Sequence, residues 1–301
     1  MARTVAETIQ DITRGHIDDG GIVIGQCLTA VGWVQNTIPP QTRGIVELPM
    51  TDIAGSGIAV GAAIMGKRPI FVMRFQSFAW LNASPLVNYA AKSKEIFGYS
   101  APVFARAIAS ESDGSGPLHT NCFHSLFMHM PGIKVCAPMT PKEYETIWEN
   151  YISGDDPFLI SEHRRSFKSE IELPNQLEDN ADITIYAVSA GRFNVDEAAA
   201  TLRSEGKRCN VIHLVWLKPF EIDEQILAPL QKSGRGIVID SAYEIAGASQ
   251  SIAYELMLAS GCPVKAVGQF DRSPGVARHL ENGTPSVQRI IDVAKSMIED
   301  G

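Results

Sequence analysis

The distribution of apolar residues along the chain predicts alternating strands and helices. Short apolar runs bounded by Gly or Pro, such as GIVIGQCL, IVELPM and RPIFVMRF, are typical of buried strands in a parallel sheet. Segments with helical spacing lie between such runs: TVAETIQDITRGHIDD places Val5, Ile9 and Ile12 on one side, and PLVNYAAKSKEIFG reads as a helix that ends at Gly98. The alternation predicts an α/β protein with mostly parallel sheets covered by helices on both faces.

The alternation is interrupted once, by an acidic stretch that contains Pro and Asn. After it the pattern restarts at TIYAVSAG and continues to a closing helical segment, TPSVQRIIDVAKSMIED. We therefore predict two α/β domains, at residues 1–170 and 183–301, joined by a linker over 171–182.

In the helical segment IAGSGIAVGAAIMG, Gly57 and Gly61 are four residues apart, which predicts a face that another backbone can approach closely.

Composition excludes several classes of protein. The 301 residues are 45% hydrophobic and 20% charged, as in a globular protein, and the net charge of −8 argues against a nucleic-acid binder. No apolar run approaches the roughly 20 residues of a membrane helix, and the N-terminus lacks the apolar core of a secretory signal. The five scattered cysteines form no CxxC pair, so we expect a reduced, cytoplasmic location.

Two residues mark a candidate site. Asp52 follows the strand IVELPM where a helix begins, and His119 lies in the Gly/Ser/Asp-containing loop ESDGSGPLHTN that follows another strand. An acid and an imidazole in such positions indicate a site without naming its reaction. The structural alternatives are that Thr51 or Asp52 is only a helix cap and that His119 is only a surface residue.

Common nucleotide and hydrolase motifs do not fit. GSGIAVG resembles a dinucleotide-binding turn, but no acid follows until Glu95, beyond the next strand. No G-x-S-x-G turn supports a serine triad.

Two possible metal motifs are also rejected. The set His119, Cys122, His124 and His129 fits no common zinc spacing, so we expect packed or capping side chains. The dipeptide Gly154-Asp155 follows a helix rather than a strand, which argues against a magnesium-diphosphate site.

Six motifs in order give a family resemblance that covers nearly the whole chain. They are ELPMTDIAGSGIAVGAAIMGKRPI, RFQSFAW, VNYAAK, DGSGPLHTN, PGIKVCAPMTP and DDPFLISEHRR. Together they resemble the beta subunit of thiamine-diphosphate-dependent 2-oxo acid dehydrogenases, and VIHLVWLKPFEIDEQIL resembles that family's second domain. The resemblance implies a thiamine-diphosphate pyrimidine-binding domain followed by a transketolase C-terminal-like domain.

The resemblance also implies a shared active site. In that family the beta chain supplies the pyrimidine half of the thiamine diphosphate site, and an alpha chain supplies the diphosphate and Mg²⁺ half. The lack of a credible diphosphate motif here agrees with such a division. We therefore expect an alpha partner, an α2β2 assembly, a small 2-oxo acid substrate and a lipoyl or other acyl carrier as acceptor.

Individual roles carry over position by position. The family's activating glutamate falls on Asp52, whose bond to a pyrimidine ring nitrogen would favour the imino tautomer that accepts the thiazolium proton. The family's loop histidine falls on His119, expected to contact the substrate or the acyl acceptor. Phe75 and Phe78 match aromatic residues that pack on the pyrimidine, with plain core as the alternative, and Met50 matches the apolar residue beside it.

Three positions raise further questions. Asp52 is one methylene shorter than the family's glutamate, and a misplacement of about 1 Å can cost on the order of a hundredfold in rate. Gln26 replaces an acid that would contact the cofactor region, and Arg74 is expected to pair with Asp52 or with substrate.

The alternative functions are a split transketolase-type subunit that transfers a ketol group, and a non-catalytic subunit that has kept the fold.

Overall fold

The computed structural model describes residues 2–111 and 116–299, in two compact units. Unit 1 comprises Met1–Ser110 and Leu118–Glu172, and unit 2 comprises Glu111–Pro117 and Leu173–Gly301. Residues 112–115, which belong to the predicted Gly/Ser/Asp loop, lie outside the described residues.

Unit 1 is built on a parallel sheet, as the apolar runs predict. Its strands are paired in the order β2-β1-β3-β4-β6-β5, and each of these pairs is parallel. The strands of the centre are short apolar segments that are buried along their whole length, because helices cover both faces. The strands are β1 (Val23–Gln26), β2 (Ile45–Leu48), β3 (Ile70–Met73), β4 (Phe104–Ala109), β5 (Lys134–Cys136) and β6 (Phe158–His163).

Two helices of unit 1 begin at the caps that their sequences provide. Thr4 and Glu7 form a reciprocal capping box at the first helix, and the Thr140 hydroxyl accepts a hydrogen bond from the backbone N–H of Glu143 at 3.4 Å. Each of these contacts satisfies N–H groups that have no partner within the helix. The helices are α1 (Val5–Asp18), α2 (Gly32–Asn36), α3 (Asp52–Ile64), α4 (Ala79–Pro85), α5 (Ala91–Phe97), α6 (His124–Met128) and α7 (Pro141–Ser153).

One prediction about local structure in unit 1 is wrong, and a second is not met within the described residues. The helix expected to begin at Pro85 begins at Ala79, and the wider π turn at Leu86–Ala90 joins α4 to α5 directly after the proline. The close approach expected at Gly57 and Gly61 does not occur within the described residues: no atom outside α3 lies within 4 Å of a Cβ placed on either glycine.

Unit 2 repeats the architecture on a smaller scale. Its sheet has the order β11-β10-β7-β8 with all strands parallel, and its core lies between this sheet and the helices α8 and α11. Gln176, in the predicted linker, forms an isolated bridge with Val211; the limits of the linker stay a prediction. The elements are β7 (Ile183–Val188), α8 (Gly191–Ser204), β8 (Cys209–Leu214), β9 (Trp216–Lys218), α9 (Glu224–Ser233), β10 (Gly236–Tyr243), α10 (Ala248–Ser260), β11 (Val264–Gln269) and α11 (Val287–Glu299).

Among the described residues, no helix has the length and apolar character required to cross a bilayer.

Candidate functional site

Most of the site residues predicted from the sequence follow the carboxyl ends of strands in unit 1. Gln26 ends β1, Met50 and Asp52 follow β2, and Arg74 follows β3. Because β2 and β3 flank β1 on opposite sides, the chain changes direction along the sheet at this point. Open parallel sheets bind ligands at such a switch point, so the fold places these residues where a site is expected.

Asp52 is the first residue of α3, and its side chain is not used as a helix cap. Thr51 occupies the capping position, but its hydroxyl donates to the carbonyl oxygen of Pro49 at 3.1 Å. The half-buried carboxylate of Asp52 instead accepts a hydrogen bond at Oδ1 from Nδ2 of Asn82 in α4, at 3.0 Å. No described group donates to Oδ2, which leaves that oxygen for a ligand.

Gln26 supplies the cap that Thr51 does not. In the amide orientation that satisfies its surroundings, the side-chain oxygen of Gln26 accepts from the backbone N–H groups of Thr51 at 3.1 Å and of Asp52 at 3.0 Å. A neutral amide thus stands at the helix N-terminus where the resemblance implies an acid. The substitution at position 26 has a structural consequence: it fixes the backbone from which the Asp52 carboxylate projects.

A narrow cleft opens between these elements. Arg74 lies in its wall with its guanidinium carbon 5.5 Å from the ring centroid of Phe75 and, among the described residues, makes no ion pair with Asp52. Of the two predicted partners of Arg74, the structure does not show Asp52, and contact with substrate stays a prediction. The cleft is lined by Gln26, Asp52, Phe71, Val72, Met73, Arg74, Phe78 and Asn82.

His119 packs against two aromatic rings beside this cleft. Its ring centroid lies 4.4 Å from that of Phe75 and 5.8 Å from that of Phe78, and all three rings are half-buried. Arg164 places its guanidinium carbon 4.4 Å from the Phe75 centroid. Phe78 belongs both to the cleft and to this aromatic group, so it connects His119 with the surroundings of Asp52.

Met50 is placed differently from the other predicted residues. It is 73% exposed in the loop after β2 and is not among the residues that line the cleft. Its predicted position beside the pyrimidine stays a prediction.

Gln76 and Asn82 contact the site, but the sequence did not single them out. Buried Gln76 donates from Nε2 to the Ala107 carbonyl at 3.0 Å and to Oγ of Ser161 at 2.8 Å, and its Oε1 accepts from the backbone N–H of Phe123. It thereby ties the turn that carries Phe75 and Phe78 to the segment that follows His119. The sequence signal for Gln76 is its position between the predicted aromatic residues Phe75 and Phe78. The signal for Asn82 is its position one helical turn after Phe78.

The residues considered for metal binding have other partners. Nδ1 of buried His124 lies 3.2 Å from Sγ of Cys122 and 3.1 Å from Oγ of Ser161. Asp155 pairs with Arg68 at 3.0 Å on the surface. Within residues 2–111 and 116–299, no group of three or more His, Cys, Asp or Glu side chains has an arrangement that could hold a metal ion.

Comparison with family models assigns both parts of the chain. Residues 30–169 match the transketolase pyrimidine binding domain, and residues 175–290 match the transketolase C-terminal domain. This chain belongs to the transketolase-like family. Proteins of this family depend in general on thiamine diphosphate.

Its curated relatives include beta subunits of 2-oxo acid dehydrogenases. The pyruvate dehydrogenase E1 component subunit beta of Rickettsia felis is 26% identical, with 99% of this chain and 98% of that protein covered. The beta subunit of acetoin:2,6-dichlorophenolindophenol oxidoreductase of Cupriavidus necator is 31% identical over 66% of this chain. That match spans 62% of the relative, less than two thirds of its length.

Solved structures share the fold at low sequence identity. A split-gene transketolase described as an inactive beta4 tetramer aligns over 99% of both chains with a TM-score of 0.72 and 16% identity. Transketolase from Campylobacter jejuni aligns with 97% of this chain and 46% of its own, with a TM-score of 0.74 and 18% identity. The fold predicted from the sequence is confirmed.

Proposed function

We propose that this chain is the beta component of a thiamine-diphosphate-dependent 2-oxo acid dehydrogenase, active with an alpha partner. The observation that carries the proposal is the Asp52 carboxylate, held at Oδ1 by Asn82 and open at Oδ2, in a cleft at the switch point of the sheet. The beta-subunit relatives support the reaction class.

The residues of the cleft fit the pyrimidine half of the cofactor. A flat, nitrogen-containing ring needs a carboxylate that can exchange a proton and an aromatic or apolar surface on which to pack. Asp52 provides the carboxylate, and Phe78, Val72 and Met73 provide the packing surface. When bound, thiamine diphosphate would supply the nucleophilic carbon that attacks the 2-oxo group and allows its carboxylate to leave as carbon dioxide.

Each side chain has a separate task in this proposal. Oδ2 of Asp52 holds or releases a proton at the ring nitrogen of the pyrimidine, while Gln26 keeps the backbone of Asp52 in place. His119, packed on Phe75 and Phe78, contacts the substrate or the acyl acceptor as a charge or as a proton donor. Arg74 adds a positive charge that can attract the carboxylate of a 2-oxo acid.

The proposal assigns the diphosphate and Mg²⁺ to the alpha chain. The surface around Asp52 supports such a partner, because Met50, Ile53 and Trp80 are 73%, 59% and 64% exposed. The face of α3 at Gly57 and Gly61 adds to this surface, because no described atom outside the helix comes within 4 Å of a Cβ placed on either glycine and a partner backbone could pack closely there. An α2β2 assembly, a lipoyl or other acyl carrier and a cytoplasmic location, which the free cysteines favour, complete the proposal.

The test is reconstitution with the alpha chain encoded by a neighbouring gene. The two chains are co-purified, thiamine diphosphate is titrated with Mg²⁺, and 2-oxo acids are offered with an artificial electron acceptor. We expect saturable cofactor binding and 2-oxo acid-dependent reduction of the acceptor. A pair that binds no cofactor contradicts the proposal, and turnover only with a ketose donor and an aldose acceptor favours the transketolase alternative.

A further inference from the structure

Asn82 is a buried polar residue whose contacts connect α4 to the proposed catalytic acid. It is only 2% exposed, in the wall of the cleft. Nδ2 donates one hydrogen bond to the carbonyl oxygen of Phe78 at 2.9 Å and a second to Oδ1 of Asp52 at 3.0 Å. One amide nitrogen thus joins the aromatic wall of the cleft to its carboxylate.

The chemistry of these two neighbours fixes the orientation of the amide. A carbonyl oxygen and a carboxylate oxygen are both acceptors, so the NH₂ group of Asn82 must face them. With the amide reversed, its oxygen would meet two other acceptors and both bonds would be lost. The observed orientation is therefore the one in which Asn82 can hold Asp52.

This orientation leaves the other end of the amide without a partner. Oδ1 of Asn82 is buried and accepts no hydrogen bond from any described residue. An unpaired buried acceptor destabilises a protein, a penalty that an apolar residue of similar size would avoid. Packing alone does not account for an asparagine here, whereas a requirement for a donor to Asp52 does.

We propose that Asn82 is the positioning residue of the Asp52 carboxylate. It fixes Oδ1 and leaves Oδ2 for the ligand, while Gln26 fixes the backbone N–H groups at the start of α3. Two neutral amides thereby hold a short acid at both its backbone and its side chain, which limits the freedom of the carboxylate in place of a longer glutamate. The catalytic meaning of this arrangement rests on the function proposed above.

The first measurement needs neither cofactor nor partner. Unfolding of the chain in urea is compared for wild type, Asn82→Ala, Asp52→Ala and the double variant. If the two side chains are coupled, the double variant departs from additivity by about tenfold in the unfolding equilibrium constant. Asn88→Ala is the matched control, because Asn88 is an exposed asparagine in the same helical run; paired with Asp52→Ala it should be additive.

The second measurement uses the complex with the alpha chain. Asn82→Ala should lower kcat by about ten- to a hundredfold with little change in KM for the 2-oxo acid, since misorientation affects the reacting geometry. In the Asp52→Ala background the same substitution should lower kcat no further. A residue with only a structural role would act equally in both backgrounds.

The outcomes separate this inference from the proposed function. Additive unfolding effects of Asn82→Ala and Asp52→Ala overturn the inference whether or not the complex binds cofactor. Coupled unfolding in a pair that binds no thiamine diphosphate supports the contact and contradicts the proposed function. If Asn82→Ala does not fold, Asn82→Ser replaces it, because its hydroxyl can bond the Phe78 carbonyl but is too short to reach Asp52.

Discussion

The buried cluster around Arg106 and the cleft around Asp52 both join a carboxylate to donors from neighbouring elements of unit 1. In the Arg106 cluster, Glu162 Oε1 accepts from Nε of Arg106 and from the Tyr144 hydroxyl, both at 2.6 Å. Its Oε2 accepts from Nη2 of Arg106 at 2.9 Å, and the same nitrogen donates to Thr37 at 2.8 Å. The ion pair is almost completely buried, with side chains 1% and 2% exposed.

The two carboxylates differ in what they leave available. Both oxygens of Glu162 have donors. Burial opposes the ionisation of Arg106, but the negative charge of Glu162 outweighs that effect and raises the pKa of Arg106. Asp52 is half-buried and has a described donor at one oxygen only. A carboxylate with both oxygens paired stabilises the fold, whereas one with a free oxygen beside a cleft can act on a ligand. The comparison predicts that substitutions in the two groups affect different measurements.

The largest expected effect is on catalysis at the open carboxylate. Asp52→Ala should lower kcat of the complex by about 10²–10⁴-fold, the usual contribution of a positioned acid–base group. Asp52→Glu should retain or raise turnover. Because Asp52 is half-buried and loses one hydrogen bond with Asn82, the unfolding free energy of the chain should fall by only about 1.5 kcal/mol.

Turnover and urea unfolding are measured on the same preparations. Asp155→Ala removes an exposed acid on the surface of unit 1 and serves as the control. Near wild-type turnover in Asp52→Ala would remove the catalytic role of Asp52.

The reverse pattern, a large loss of stability, is expected at Glu162, whose two carboxylate oxygens both have donors. Glu162→Gln removes the charge that faces Arg106 and leaves a buried guanidinium without its counter-ion, which should cost about 3–5 kcal/mol of unfolding free energy. Urea unfolding of the isolated chain measures this loss, and Glu149→Gln on the exposed side of α7 is the control. A change below about 1 kcal/mol would mean that the cluster does not stabilise unit 1.

A smaller effect with a defined pH dependence is expected for Tyr144→Phe. The variant loses one hydrogen bond to a charged group, which should cost about 1.5–3 kcal/mol at neutral pH. Burial, followed by the charge of Glu162, raises the pKa of Tyr144 well above its ordinary value near 10. The unfolded chain therefore releases this proton first, and the wild type loses stability as the pH rises above about 10.

The phenylalanine variant cannot release that proton. The stability difference between wild type and Tyr144→Phe should therefore narrow above pH 10, which urea unfolding from pH 7 to 11 would detect. Tyr254→Phe, at an exposed position, controls for the substitution itself. A difference that is constant over this range would contradict the assigned environment of Tyr144.

The sequence predicts the elements of the Arg106 cluster but not the cluster itself. Apolar runs identify β4 and β6, and TPKEYETIWENYIS identifies α7, because local periodicity carries that information. The pairing of Arg106 with Glu162 joins residues 56 positions apart, and it follows only from the parallel pairing of β4 with β6. No local pattern reports strand order.

The site around Asp52 shows the same limit on what the sequence alone predicts. Asp52 and His119 were found because their residue types follow predicted strands and match the family motifs. Asn82 was missed because the helix was expected to begin at Pro85, which placed it in a loop. Gln26 was found as a departure from the family, but its role as the cap of α3 depends on side-chain geometry that no pattern contains.

The smallest expected effect concerns the partner that would complete the open side. No atom outside α3 among the described residues lies within 4 Å of a Cβ added at Gly61, so Gly61→Ala introduces no clash within this chain. An alanine in a helix interior should instead raise the unfolding free energy by roughly 0.5–1 kcal/mol. If the alpha chain packs closely here, the same methyl group should weaken the complex by about tenfold.

The opposite signs make this substitution informative. Urea unfolding of the chain alone and the dissociation constant of the alpha–beta pair are measured for Gly61→Ala and for Gly15→Ala, a helix glycine of α1 with no neighbour within 4 Å. Both variants should be more stable than wild type, and only Gly61→Ala should bind the alpha chain more weakly. Equal affinity in the two variants would show that the alpha chain does not pack closely on α3 at Gly61.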